Sequence, residues 1–86
     1  MEVLYSDNFL KSAARLPEKL RQKLSQLVEL VRENPFHPQL HTKHLTGELA
    51  GSLAFRITRD WRVKFRFVDP RTVQLLRVAN RKDIYR

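Results

Sequence analysis

The sequence predicts an α+β domain of order β-α-α-β-β-β, with two helices packed on one face of a mostly antiparallel four-stranded sheet. One observation is an apolar stripe at helical period that ends at Val31. The second is the alternation of apolar and polar residues, at a period of two, in residues 53–58 and 61–67. The third is a nearly continuous apolar run over residues 73–79.

The chain opens with a short strand and a helix. Residues 2–5 favour a strand, and Ser6 or Asp7 can cap the helix that follows it. The apolar residues spaced three and four apart on one face of this helix are Phe9, Ala13 and Leu16.

The second helix is the longer one. Pro17 suits its first turn, because the missing N–H has no helical partner there. Its apolar stripe consists of Leu20, Leu24, Leu27, Val28 and Val31. Asn34 ends it, since the residue before a proline avoids the helical region. Residues 35–51 then read as a loop with turn points at Gly47 and Gly51.

The C-terminal third is predicted to be strands. If residues 58–60 form a hairpin loop, every apolar residue of one strand faces an apolar residue of the next, and a shift by one residue would mix the two faces. Residues 69–71 form a turn. The apolar run over 73–79 predicts a central strand covered on both faces.

The composition points to a polyanionic partner. The 86 residues are predicted to form a single domain, 1–86, with 17 lysines and arginines against 9 acidic residues and a net charge of +8. Such a charge predicts a phosphate backbone, an anionic membrane surface or an acidic protein as the partner, and we favour RNA over a merely soluble basic protein. The absence of cysteine suits a reducing cytoplasm. Residues 1–10 have no long apolar run, so neither a signal peptide nor a membrane span is expected there.

The predicted hairpin gathers cations on the sheet face opposite the helices. Its register places Arg56 opposite Arg62 and Ala54 opposite Lys64, and Arg66 continues the row. Like charges opposite each other are unfavourable unless an anion lies between them, and arginine donates two parallel hydrogen bonds to a phosphate. The alternative is a solvated strand face that is only incidentally basic.

The end of the chain adds further candidates. Arg77 interrupts the apolar rhythm of the last strand and either joins the basic face or binds a local carboxylate. Tyr85 can stack on a base or transfer a proton, whereas Ile84 is expected to cover the edge of the core. His37, His41 and His44 have a spacing that could bind a metal on a helix, but the nearby prolines argue against a helix, so no metal site is predicted.

Three short motifs in order resemble the RelE/ParE superfamily of bacterial toxins: Lys43-His44-Leu45-Thr46-Gly47, the stretch from Phe55 to Phe65, and Asn80-Arg81-Lys82-Asp83-Ile84-Tyr85. The resemblance covers essentially the whole chain. It implies the toxin of a type II toxin–antitoxin pair. The RelE-like members are ribosome-dependent mRNA endonucleases that work without a metal, whereas the ParE-like members poison DNA gyrase.

The resemblance also implies residue roles. Arg56 and Arg62 occupy positions that contact the scissile phosphate in RelE-like nucleases, in which the RNA 2′-OH is the nucleophile. Tyr85 matches a tyrosine that orients or activates this hydroxyl, and Arg81 stands where many members have a histidine. Asp60 matches an aspartate that contributes to activity in YafQ-like members, or it only closes the loop. The implied RNA-binding residues are Lys43, Lys64, Arg66 and Lys82.

Two departures from the family pattern bear on the chemistry. Arg81 removes the histidine that would act as an acid or base near neutral pH, and Leu53-Ala54 replaces a common Trp-Ser pair. The expected partners are a cognate acidic antitoxin and mRNA on the ribosome, with no membrane, no cofactor, and DNA only indirectly through an antitoxin complex. A gyrase inhibitor and a bare binding module are the alternatives. The nuclease is favoured because the site offers both a phosphate clamp and a proton-transfer group.

Overall fold

The computed structural model describes residues 1–47 and 50–85, and its elements follow the predicted order with one addition. The helices are α1 (Asp7–Ala14) and α2 (Glu18–Glu33), and a 3₁₀ turn covers Pro38–Leu40. The strands are β1 (Glu2–Tyr5), β2 (Lys43–His44), β3 (Leu53–Arg56), β4 (Trp61–Asp69) and β5 (Thr72–Asn80).

The described strands form one sheet in the order β1-β5-β4-β3-β2. All neighbours are antiparallel except β1 and β5, which run parallel. The predicted α+β class is confirmed, with five strands where four were expected. The added strand is β2, which pairs Lys43 with Ala54 inside the segment predicted to be a loop. A strand of two residues is too short to leave a period-two pattern, so the sequence could not reveal it.

Both predicted helices are present, but α1 ends at Ala14, so Leu16, predicted on its apolar face, lies beyond the helix and is nevertheless buried. Ser6 caps α1, because its Oγ accepts a hydrogen bond of 3.0 Å from the backbone N–H of Phe9. Pro17 immediately precedes the first turn of α2, and Asn34 ends the helix in an extended conformation ahead of Pro35.

The core lies between the helices and one face of the sheet. The buried residues of α2 are Leu24, Leu27, Val28 and Val31. The fully buried residues that the sheet and its hairpin loop supply are Phe55, Ile57, Val63, Phe65, Val73 and Leu75. Leu40 and Leu45, from the segment predicted as a loop, are also buried, so this segment packs against the protein.

A bulge in β5 determines which face Arg77 occupies. Phe65 pairs with Leu75 whereas Lys64 pairs with Arg77, so Leu76 is an extra residue. The shift places Arg77 opposite Lys64 rather than in the core row of Leu75. The prediction that both faces of β5 are covered is wrong, because the outward residues of this strand are only half-buried. The apolar run over residues 73–79 contains two adjacent leucines because the bulge inserts Leu76 directly after Leu75.

β1 pairs with β5 only as far as Leu75, and α1 covers the same edge of β5 after that residue. The Ser6 hydroxyl donates to the carbonyl oxygen of Leu76 at 2.9 Å, and the backbone N–H of Val78 donates to Ser12 Oγ at 2.8 Å. Two serine side chains therefore satisfy backbone groups that a neighbouring strand would otherwise pair. This arrangement fixes the second half of β5, which leads directly into the candidate site.

Candidate functional site

The β3–β4 hairpin places two arginines side by side. The predicted register is confirmed: Arg56 lies opposite Arg62, and Phe55 lies opposite Val63 in the core. The loop is closed by a hydrogen bond of 2.9 Å from the N–H of Ile57 to the carbonyl oxygen of Trp61. Both arginines are half-buried. A short hairpin with a fixed register holds them with little freedom to separate.

The cations continue across the sheet face that points away from the helices, here called the outer face. One row across the strands is Lys43, Ala54, Lys64 and Arg77, and the next is Arg56, Arg62 and Ala79. The ion pair between Arg32 and Glu29 lies on α2. The rows of cations concentrate positive charge on the outer face, which suits an anionic ligand.

The guanidinium of Arg62 folds back onto its own hairpin loop, which the sequence did not predict. Its Nη1 donates to the carbonyl oxygens of Thr58 at 2.6 Å, Arg59 at 2.8 Å and Trp61 at 3.3 Å. These three bonds use one nitrogen, so Nε and Nη2 keep their donors for other partners. Arg62 thus supports the loop and still offers part of its fork.

The electrostatics of Arg62 identify its neighbours. Burial lowers the pKa of the Arg62 guanidinium below its usual value, and the charges of Arg56 and Arg81 lower it further, while Tyr85 and Asp60 act in the opposite direction. Arginine stays protonated in proteins despite such a shift. The other three predicted catalytic residues, Arg56, Arg81 and Tyr85, thus lie near Arg62.

Arg56 differs from Arg62 in its hydrogen bonding. Its Nε is buried and meets no acceptor within residues 1–47 and 50–85. A buried donor without an acceptor costs free energy unless a ligand supplies the acceptor. Arg56 is therefore a suitable group for an incoming anion.

A C-terminal segment, residues 81–85, packs beside the two arginines. The N–H of Arg81 donates to the carbonyl oxygen of Asp60 at 2.7 Å, which ties the segment to the hairpin loop. The carbonyl oxygen of Asn80 accepts from the N–H groups of Asp83 and Ile84 at 2.8 and 3.1 Å. Ile84 is fully buried, as predicted.

The exposed side chains of this segment can reach a ligand. Tyr85 keeps 54 % of its surface exposed although the preceding residue is buried. Lys82 is exposed beside Asn80, whose side chain accepts a hydrogen bond of 3.1 Å from the Lys82 N–H. The segment therefore presents a phenol and a lysine at the end of the outer face.

The remaining predicted residues lie outside this cluster. Arg66 is farther along β4, where it donates to Gln74 Oε1 at 3.1 and 3.2 Å. Lys43 is on the edge strand, in the row next to that of Arg56. Arg77 shares that row but was not assigned to the site from sequence. The sequence singled out Arg77 only because it interrupts an apolar strand. That interruption does not reveal which group Arg77 binds.

The histidines have local structural roles. His37 Nδ1 accepts from the Gln39 N–H at 3.1 Å, and the His44 ring stacks on Phe36 with centroids 6.0 Å apart. No group of three histidine, cysteine or acidic side chains within residues 1–47 and 50–85 is arranged to hold a metal ion. In the same residues, neither helix is long and apolar enough to cross a membrane.

Comparisons with known proteins bear on the fold. No protein-family model and no curated protein sequence matches this chain. Among solved structures, YafQ from E. coli strain BL21(DE3) has a TM-score of 0.80 at 17 % identity, over 99 % of this chain and 98 % of that one. A YoeB/ParE toxin from Agrobacterium tumefaciens has a TM-score of 0.79 at 18 % identity, over 93 % and 98 %.

A third similar structure is the toxin–antitoxin complex RelBE2 from Mycobacterium tuberculosis. Its TM-score is 0.74 at 26 % identity, over 93 % of this chain and 96 % of that one. These likenesses extend over nearly the full length of each chain. The three sequence motifs therefore lie in a chain whose whole fold is shared with these structures. The resemblance that the motifs predict is therefore confirmed at the level of the fold: the chain has the fold of RelE, YafQ and YoeB/ParE toxins of toxin–antitoxin systems.

Proposed function

We propose that this protein is the toxin of a type II toxin–antitoxin pair and cleaves mRNA on the ribosome without a metal ion. The observation that carries the proposal is the convergence of three arginines and a tyrosine, Arg56, Arg62, Arg81 and Tyr85, at one end of a cationic sheet face. Fixed guanidinium groups stabilise charge that develops on a phosphate, and a phenol can hold or move a proton.

The proposed reaction is an internal transfer within the RNA. The 2′-oxygen forms a bond to the adjacent phosphorus while the bond from phosphorus to the 5′-oxygen breaks. One proton leaves the 2′-hydroxyl and one proton reaches the departing 5′-oxygen, so the products carry a cyclic 2′,3′-phosphate and a free 5′-hydroxyl. No water or redox partner enters the balance.

Each site residue has a role in this step. Arg56 and the free donors of Arg62 bind the non-bridging phosphate oxygens, on which negative charge accumulates. Arg81 adds positive charge at the same centre. The Tyr85 hydroxyl orients the 2′-hydroxyl and takes part in the transfer of its proton. The geometry thus supplies charge stabilisation and alignment, the two largest contributions in phosphoryl transfer.

The outer face would hold the rest of the RNA. The proposed backbone contacts are Lys43, Lys64, Arg66 and Lys82. Binding should weaken steeply as salt rises, because each neutralised phosphate releases counterions. Fluorescence anisotropy of a labelled single-stranded RNA, titrated at several salt concentrations, measures this slope. A flat salt dependence would argue for an apolar protein interface.

The proposed regulator is an acidic antitoxin. The net charge of +8 on 86 residues suits a disordered acidic segment that neutralises the outer face on binding. Similar structures from Mycobacterium tuberculosis and Staphylococcus aureus were solved as toxin–antitoxin complexes. We place the protein in the cytoplasm as one domain, and its contact with DNA would run through the antitoxin. Co-expression of a small acidic protein encoded beside it should relieve toxicity.

The deciding experiment follows mRNA after induced expression. Primer extension should reveal cuts at defined codon positions, and purified protein should reproduce them on programmed ribosomes. The Arg56→Gln variant is the inactive control, and Arg71→Gln, in the exposed β4–β5 turn, is the control for charge alone. Intact mRNA together with DNA-damage signalling would overturn the nuclease proposal and support the ParE-like alternative.

A further inference from the structure

Arg77 stands in an unfavourable position for an arginine. It is the charged residue of β5, and the bulge at Leu76 sets it directly opposite Lys64. Two cations facing each other across strands repel. In addition, Arg77 Nε is buried and has no acceptor among the described residues. A neutral residue would suit this strand better, so another interaction must offset these costs.

The contact that offsets them lies in the C-terminal segment. Arg77 Nη2 donates to the backbone carbonyl oxygen of Asp83 at 2.6 Å. The N–H of Asp83 is held in turn by the carbonyl oxygen of Asn80. Asp83 is thus fixed on both sides of its backbone, midway between Arg81 and Tyr85.

The other contacts hold the two ends of this segment. The N–H of Arg81 ties its start to the carbonyl oxygen of Asp60, and Ile84 is buried in the core near its end. The bond from Arg77 is a side-chain contact from the sheet to the backbone between these two points. It therefore restricts which way the residues on either side of Asp83 face.

We propose that Arg77 is a positioning residue that holds the C-terminal segment so that Arg81 and Tyr85 stay beside Arg56 and Arg62. This inference rests on the proposed nuclease function, and it gives Arg77 no contact with the RNA. Arg77 acts through the Asp83 carbonyl group.

The test compares three variants of the full chain. Arg77→Met removes the donors but keeps a long apolar stem, and Arg77→Lys keeps the charge and one donor group. Arg71→Met, in the turn before β5, loses the same charge away from the segment. For each protein we would measure amide hydrogen exchange at Asp83 and Ile84, thermal stability, RNA affinity, and the single-turnover cleavage rate on programmed ribosomes.

The expected result separates positioning from folding and binding. In Arg77→Met, the two amides should exchange roughly tenfold faster, since a charged hydrogen bond to the segment is lost. The cleavage rate should fall by roughly tenfold to a hundredfold, because small displacements of catalytic groups are costly. RNA affinity should stay within about threefold, which locates the loss in the chemical step. Arg77→Lys should recover part of both effects, and Arg71→Met should show neither.

Two results would overturn the inference, and a third result would instead overturn the proposed function. Unchanged amide exchange in Arg77→Met would show that Arg77 does not anchor the segment. Full cleavage despite faster exchange would show that the anchoring does not position the site. If the wild-type protein cleaves no RNA, the proposed function fails, and the exchange rates alone then decide whether Arg77 holds the segment.

Discussion

Arg56 and Arg62 lie directly opposite each other on β3 and β4, but their guanidinium groups have different partners. Arg62 Nη1 donates to three carbonyl oxygens of the hairpin loop, whereas the buried Arg56 Nε has no acceptor among the described residues. The family resemblance assigns both arginines to the scissile phosphate. The structure gives Arg62 a second task, so the two arginines should respond differently to mutation.

Replacing Arg56 should affect activity and leave the fold intact. Arg56→Gln removes a donor aimed at the phosphate, and loss of one such preorganised donor typically lowers the rate by about a hundredfold to a thousandfold. The melting temperature should not fall, because the variant breaks no hydrogen bond at Nε. Single-turnover cleavage and a thermal melt of the same sample check both parts. Wild-type activity in the folded variant would remove Arg56 from the phosphate clamp.

Replacing Arg62 should lower both activity and stability. Arg62→Ala deprives the three loop carbonyl oxygens of their shared donor, which should cost about 1–3 kcal/mol. For a domain of this size, each kcal/mol lowers Tm by roughly 4–8 °C. Arg62→Lys keeps the charge but not the planar fork, and we expect it to restore stability only in part. An unchanged Tm in Arg62→Ala would contradict the loop role.

Removing the Tyr85 hydroxyl should separate binding from chemistry. Tyr85→Phe keeps the ring, which is exposed, and loses the group that orients the 2′-hydroxyl. General acid–base groups contribute about a hundredfold to ten-thousandfold, so cleavage should slow within that range. Affinity for ribosomes should stay unchanged. Equal loss of binding and rate would instead assign Tyr85 to RNA contact.

A histidine at position 81 should introduce a pH dependence. Histidine changes its charge between pH 5 and 8, and only the protonated ring carries the positive charge that arginine supplies. The ratio of the Arg81→His rate to the wild-type rate should therefore be highest below the histidine pKa and fall as pH rises through it. Cleavage measured from pH 5.5 to 8.5 tests the sign. A ratio that rises with pH would indicate that neutral imidazole acts as a base.

Leu24→Ala tests the core independently of the site. Leu24 is buried on α2, and truncating a buried leucine costs about 2–5 kcal/mol. Urea or thermal unfolding should show this loss. The fraction that stays folded should cleave at the wild-type rate per molecule, because no site residue contacts α2 through hydrogen bonds within the described residues. A lower specific rate would mean that α2 packing positions the site.

The sequence was sufficient to predict the structural features that depend on regular patterns of apolar and polar residues. Apolar matching across the hairpin determined the register of Arg56 and Arg62, because a one-residue slip would have put charge in the core. It did not reveal β2, whose two residues carry no periodicity. It also gave no sign that the Arg62 guanidinium binds its own loop, because side-chain torsions determine that contact. The bulge at Leu76 left only an indirect signal, the interruption at Arg77.

The parallel pairing of β1 with β5 has a consequence for how the chain folds. Glu2 pairs with Thr72, so the first strand has no partner in the sheet until the last strand exists. Contacts between residues so far apart in sequence make folding slow, because a long loop must close before they form. During synthesis, β5, the inner strand that pairs with both β1 and β4, is made after the other four described strands. A nascent chain therefore acquires the complete arginine site only after β5 and residues 81–85 have been made.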